Sequence, residues 1–575
     1  MNTQSSHCAA RLTASLAFAC TALLAACGGA DSQGNPTRAP DVAQTANGDV
    51  KGVDRLGMRS YFAIPYALPP TGARRWTAPV PAQAWSARLE KTASASPCLQ
   101  TSNSPFRLPN DSEDCLYLDV HAPAGQGPFP VMVNFHGGNF VTGGTGQYAD
   151  PSPLVSQGVI VVNVGYRLGA MGFLAHPALA QDGAAGNYGI MDQQLALHWV
   201  QDNIARFAGD STNVTIFGES AGGFSVMTHL ASPGSKGLFV KAIVQSGNYG
   251  NDRQPSGAQM ATISTNVVDN AIKAAKAANI AGIACDAGAV SAACLRNLPD
   301  AVVRNQLAAA IYAALPNPVP SVDGKVLPKS VKATFAAGEN IKVPMIDGSN
   351  RDEYALYVAI AEDAARQRAT PPNLDPANTS FALPASQYPT VIAGLTAGSG
   401  VAASDLVTTW YPLAGYGANA AIQPSLAESA LATDLGFSCP ALRTVQRVAS
   451  QGTPIYMYEF RDRTAIPSVG VANGKYYLSF PQGAAHSYDL QYLYNLHDLG
   501  NDERRGLQAA MSRYWTNFAR TGDPNKGGDV AASWPAFTRP DQVLGLDVAS
   551  GGGVKALSTF EADHKCVKPW SVVTF

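Results

Sequence analysis

The chain has 575 residues, 46% of them hydrophobic and 14% charged, with a formal net charge of −2. That is ordinary for a folded protein with a sizeable core, and long enough for one large α/β domain with insertions or for two or three domains. The charge balance offers nothing to a nucleic-acid or acidic-membrane partner. With no zinc-type C-x-x-C pair and no H-E-x-x-H, a metal site has no sequence support.

Residues 1–27 read as an export signal. Arg11 supplies a positive start, and Leu12 to Ala26 is apolar but short for a membrane span. The segment ends Leu24-Ala25-Ala26-Cys27, which resembles a bacterial lipobox and implies lipidation at Cys27. The other reading is a plain small-residue cleavage site with an incidental cysteine. Residues 28–45, rich in Gly, Pro, Ala and polar types, read as a flexible tether.

The folded part is expected from Ala46, opening with a hairpin at Asn47-Gly48. Ile64 to Trp76 is apolar and proline-rich and reads as irregular structure on a sheet. Glu113–Val120 reads as an alternating strand and Pro130–Phe135 as a buried one. The latter runs into His136-Gly137-Gly138-Asn139-Phe140, where a glycine pair after a central strand frees backbone N–H groups to face a ligand. Val159–Val164 is a further strand, and Met191–Ile204 a helix with Trp199 and Val200 on its apolar face.

Val214–Phe217 then leads into Gly218-Glu219-Ser220-Ala221-Gly222-Gly223, with a helix after it. Strand, G-x-S-x-G and helix make the context of a nucleophile elbow. The turn is so tight that Gly218 and Gly222 are needed sterically, and Ser220 is left at the tip near a helix N-terminus. Ala242–Val244 is the next strand. This alternation favours a mostly parallel sheet with helices on both faces. Two Ala-rich helical stretches, roughly 248–320 and 361–433, read as cap insertions that set acyl and alcohol size. Between them Val343–Gly348 returns to the sheet and delivers Asn350-Arg351-Asp352-Glu353. Ile455–Phe460 is a strand, His486 follows a glycine-containing loop, and Glu503–Thr521 is an amphipathic helix.

Seven motifs together carry a resemblance: IPYALPP (64–70), SEDCLYLDV (112–120), HGGNF (136–140), NYGIMDQQLALHWVQDNIARFAGD (187–210), VTIFGESAGG (214–223), DGSNRDE (347–353) and YWTNFARTGDPN (514–525). From about residue 46 to 575 the chain resembles the type-B carboxylesterase and cholinesterase family of α/β-hydrolases. The resemblance implies Ser220 as nucleophile, Glu353 as acid and His486 as base. It implies an oxyanion hole from the backbone N–H groups of Gly138, Asn139 and Ala221, and a site for Ser246 beside the triad. Spacing alone does not choose between Asp352 and Glu353; the resemblance chooses Glu353, and makes Asp434 a buried network residue. His136 and His229 read as structural, His198 as a helix-surface residue.

The implied chemistry is acyl transfer on a small-molecule ester, with no cofactor. Tyr354 and Ser487 stand where the family has glycine. The Cys98–Cys115 loop lacks the tryptophan that grips a quaternary ammonium in cholinesterases, so choline esters are not expected. Of 9 cysteines, six lie beyond the signal. Six allow fifteen pairings; the family pattern implies Cys98–Cys115 and Cys285–Cys294, leaving Cys439 for Cys566. Disulfides agree with export, and contact with a membrane is expected only through the lipid. The competing reading is a non-catalytic binding protein on the same fold, which would be expected to lack Ser220 or His486. The motifs do not separate esters from lactones, polyester fragments, carbamates or amides.

Overall fold

The computed structural model describes residues 40–572 apart from 101–105, 183–184, 251–253, 308–313 and 315–319. The export signal, Cys27 and the tether up to residue 39 lie outside the described residues. The chain divides into Met1–Asn35 and Pro36–Phe575, and everything below concerns the second unit.

Its first element is a hairpin of β1 (Val42–Thr45) and β2 (Gly48–Lys51), turned at Asn47-Gly48. Ordered structure thus begins inside the stretch read as tether, because Val42–Thr45 finds a partner strand that composition does not announce. The strands of the main sheet follow: β3 (Val53–Arg55), β4 (Met58–Pro65), β5 (Tyr117–Pro123), β6 (Phe129–Phe135), β7 (Ile160–Val164), β8 (Gly209–Glu219), β9 (Lys241–Gln245), β10 (Met345–Asn350) and β11 (Ile455–Phe460). After a short hairpin, β12 (Val471–Ala472) and β13 (Lys475–Tyr476), come β14 (Val543–Leu546) and β15 (Lys555–Leu557).

Eleven of these form one sheet in the order β15-β14-β11-β10-β9-β8-β6-β7-β5-β4-β3. From β14 to β7 every neighbour is parallel, and both edges are antiparallel. The main helices are α1 (Tyr188–Asn203), α2 (Ala221–Ala231), α3 (Gly257–Ala277), α4 (Ala355–Arg368), α5 (Cys439–Ser450) and α6 (Asp502–Thr521).

Successive residues of a strand point to opposite faces, and here they feed two cores. Val131, Val133, Ile216, Val244 and Met345 pack on one side with α1, α2 and α5. Met132, Phe217, Ile243 and Ile346 pack on the other with α4 and α6. Covered on both faces, these strands are continuous apolar runs rather than alternating ones. Strand β5 keeps the alternation Leu118-Asp119-Val120-His121-Ala122; it starts at Tyr117, not Glu113, and its residues after Tyr117 are all buried. Asp119 accepts from the Ala63 backbone at 2.8 Å and from Ser94 Oγ at 2.5 Å, and His121 Nδ1 lies 2.9 Å from Ser60 Oγ.

Helix α3 does not cover the sheet. It builds a separate apolar cluster with Trp76, Leu174 and Leu179. The cysteines pair as Cys98–Cys115, Cys285–Cys294 and Cys439–Cys566, with Cα separations of 4.9, 5.7 and 5.2 Å. Among the described residues no helix is long and apolar enough to cross a membrane.

Candidate active site

The candidate residues gather at the carboxyl ends of the parallel strands, where open α/β sheets hold their ligands. Ser220 follows β8, Gly138 and Asn139 follow β6, Ser246 follows β9 and Glu353 follows β10. His486 arrives on the long loop between β13 and α6.

Ser220 has φ 58° and ψ −122°, a strained conformation that costs about 1–3 kcal/mol and must be held from outside. Its N–H donates to the Gln245 carbonyl and its own carbonyl accepts from the Phe224 N–H, both at 2.9 Å. A Cβ on Gly218 or Gly222 would run into the Phe135 carbonyl of β6. The two glycines therefore let the elbow sit directly against the glycine-rich loop after β6.

In that loop Gly138 has φ 106°, and a Cβ there would overlap the Thr142 carbonyl. Asn139 is left-handed at φ 55°, a region Asn tolerates better than most residues. This is how the chain accommodates Asn where glycine is common. His136 is buried and stacked on Tyr166 at 4.3 Å, with Nδ1 2.8 Å from the Gly137 carbonyl. Burial pushes it down to about 4, so it is a neutral prop for the loop.

Glu353 and His486 meet across 133 residues: His486 Nδ1 lies 2.6 Å from Glu353 Oε2. The other carboxylate oxygen accepts from Ser246 Oγ at 2.5 Å and from the Asn350 N–H at 2.7 Å. Asp352, its neighbour, points elsewhere, to a bidentate pair with Arg463. The choice that spacing left open is thereby made by position. Asp434 bonds His564 Nδ1 at 2.6 Å and Tyr411 Oη at 2.7 Å, away from His486. His229 is held by Ser235 Oγ and Gln193 Oε1, and His198 is exposed.

Two acids next to the histidine were not singled out in the sequence. Glu219, the residue before Ser220, places Oε1 3.1 Å from His486 Nε2. The pair is not aligned for a hydrogen bond, and among the described residues Nε2 makes none. Burial raises the Glu219 carboxyl, opposed by the charge of His486. Burial pulls His486 down, but Glu219 and Glu353 outweigh it and the net shift is upward. Asp489 is buried under the same group, bonded to Gln245 Nε2 at 2.7 Å, and burial pushes it up to about 6. Its signal was only an acid one turn past His486.

Ser220, Gly138, Asn139, Glu219 and His486 open on a cavity of about 430 Å³. Ala221 lies beneath, fully buried at the start of α2. The remaining wall is mostly apolar: Phe106, Leu356, Tyr357, Ile360, Ile466, Leu490 and Leu496. Among the described lining residues none comes from 248–320 or 361–433. The wall comes from the first turns of α4 and from 466–497, because α3 packs off to the side. The Cys98–Cys115 loop, which has no tryptophan, supplies Phe106.

An α/β-hydrolase sheet with a serine elbow, a glycine-rich loop and a histidine–carboxylate pair at its carboxyl edge defines a serine-hydrolase class of protein. A model of the Carboxylesterase family matches residues 39–559. The chain is 31% identical to para-nitrobenzyl esterase of Bacillus subtilis (strain 168) over 88% of its own length and 95% of that protein's. It is 32% identical to carboxylesterase 3 of Pongo abelii (89% and 87% covered) and 32% identical to cocaine esterase of Oryctolagus cuniculus (88% and 91%). A solved structure titled PNB esterase superposes with a TM-score of 0.69 at 30% identity, covering 91% of this chain and 99% of that one. The protein belongs to the carboxylesterase family and is a carboxylic ester hydrolase.

Proposed function

We propose that the protein hydrolyses uncharged carboxylic esters through an acyl-enzyme on Ser220. The observation that carries this is the strained Ser220 elbow sharing one cavity with a histidine already bonded to Glu353 at 2.6 Å. His486 Nε2 takes the Ser220 proton as Oγ attacks the ester carbonyl, and returns it to the leaving alcohol. The contact between Nε2 and Ser220 Oγ is of the kind that tightens when substrate is in place. Glu353 fixes the Nδ1–H tautomer and stabilises the imidazolium, with Ser246 and the Asn350 N–H holding the carboxylate. The N–H groups of Gly138, Asn139 and Ala221 face the carbonyl oxygen as charge builds on it, worth about 3–4 kcal/mol per donor. Water then attacks the acyl-enzyme by the same route.

The cavity supports an uncharged substrate: among its described lining residues there is no Lys or Arg, and the apolar wall suits a hydrocarbon or aryl group. The test is turnover of p-nitrophenyl esters of rising acyl length by wild type and Ser220→Ala. Loss of turnover in the variant is the expected result, and the length optimum sizes the acyl pocket. Equal release by both proteins would exclude Ser220.

We also propose that the mature protein is exported and anchored by lipid at Cys27. The three disulfides suit an oxidising compartment. Cys27→Ser should shift the protein from the membrane pellet to the soluble fraction; an unchanged distribution would reject the anchor.

A further inference from the structure

The loop after β9 is pinned over the elbow at several points. Ser246 N–H donates to the Gly348 carbonyl at 2.8 Å, and its side chain holds Glu353. Asn248 Nδ2 donates to Asp347 at 2.7 Å. Gly247 lies so close to Gly223 that a Cβ would overlap its backbone. The next residue, Tyr249, has its ring between Phe224 and Phe437, at 5.8 and 5.7 Å. Its Oη is buried and lies beside the Ser220 side chain, short of full hydrogen-bond alignment. Among the described residues this hydroxyl has no other partner. A buried phenol without a partner carries a desolvation cost, and the Ser220 side chain lies near enough to receive its hydrogen bond.

We propose that Tyr249 is a further catalytic residue of this esterase: its hydroxyl donates to Ser220 Oγ, and it assists deacylation more than acylation. The inference rests on Ser220 being the acylated nucleophile. In the free enzyme, donation from Tyr249 occupies an Oγ lone pair and leaves the Oγ–H for His486 Nε2. In the acyl-enzyme Oγ is an ester oxygen and can only accept, so it needs a donor. During deacylation water attacks the acyl carbon and its proton goes to His486. The C–Oγ bond then breaks, the electron pair stays on Oγ, and His486 Nε2 returns the proton there. Tyr249 keeps its own proton throughout and stabilises the charge growing on Oγ. Burial raises the phenol far above the working range, so it remains a donor. In acylation the same bond draws density from the attacking atom and gives no advantage. The two half-reactions therefore respond differently to its loss.

Tyr249→Phe removes the hydroxyl and leaves the ring between its neighbours. The measurement is a rapid-mix experiment with p-nitrophenyl butyrate. The burst of nitrophenol gives acylation, and the decay of acyl-enzyme, followed by intact mass after quench, gives deacylation. The expected result is deacylation slowed about five- to tenfold, the size of one neutral hydrogen bond, with acylation changed less than twofold. Titration of Ser220 with a fluorophosphonate normalises both rates to folded sites. Unchanged deacylation, or both steps slowed equally, would overturn the role of Tyr249. If wild type forms no acyl-enzyme at all, the Ser220 reading itself fails, a separate outcome.

Discussion

Two buried histidines in this protein each sit between two acids, and the contrast separates the proposed base from a structural rivet. His486 has Glu353 on one nitrogen and Glu219 beside the other; His564 has Asp434 and Glu459. Both are pushed up by those acids against the opposing pull of burial. At His564 both nitrogens are fully hydrogen-bonded, Lys565 lies 4.5 Å over the Tyr411 ring, and the Cys439–Cys566 bridge closes the cluster. Such an imidazolium ties the C-terminal segment to β11 and has nowhere to send a proton. At His486 one nitrogen is held and the other makes no hydrogen bond among the described residues, in a residue that lines the cavity together with Ser220. The chemistry of the groups is the same; what differs is whether the second nitrogen is satisfied.

The largest expected effect breaks the pair apart. His486→Ala should lower kcat/KM on the order of 10⁴-fold or more. His564→Ala should leave kcat nearly unchanged and lower the urea midpoint. It strands two buried acids, costing about 3–5 kcal/mol, with kcat per titrated site retained. In wild type the folded pKa of His564, about 10, lies above its usual 6.5. Its stabilisation is then complete below pH 6.5 and lost as pH rises through 10. The urea midpoint should fall over that window in wild type and stay flatter in His564→Ala. Comparable activity losses in the two variants would erase the distinction.

A smaller effect sharpens it. The charge of Glu219 helps to raise His486, so Glu219→Gln should let the base become neutral at lower pH. The acid limb of the kcat/KM profile should move down by about one pH unit; an upward shift would mean that Glu219 does not act on His486 through charge.

Some of this is legible without coordinates. The elbow is, because strand, G-x-S-x-G and helix stand together as one short word, although the steric demand on Gly218 and Gly222 comes from Phe135 of β6. Asn139 and Ser487, both left-handed in the structure, show the limit of the same logic. Their backbones carry strain that the surrounding fold imposes, and nothing in a polar residue after HGG or after His486 announces it. At Tyr354, by contrast, φ is −74°, so the glycine that usually stands there is not needed for its conformation.

The sequence by itself determined the main apolar strand runs, the serine turn, the glycine loop and, through long motifs, the acid and histidine proposed to work with them. Those features depend on chemistry between near neighbours or on patterns preserved as whole words. Tertiary structure alone decided that Asp352 turns to Arg463, that Glu219 faces His486, that the Tyr249 ring lies between Phe224 and Phe437, and that much of the described cavity wall comes from 356–360 and 466–497. Each of these is a meeting of groups that the folded sheet brings to one edge. Burial there gives small differences in position a large electrostatic weight, and no local spacing encodes it.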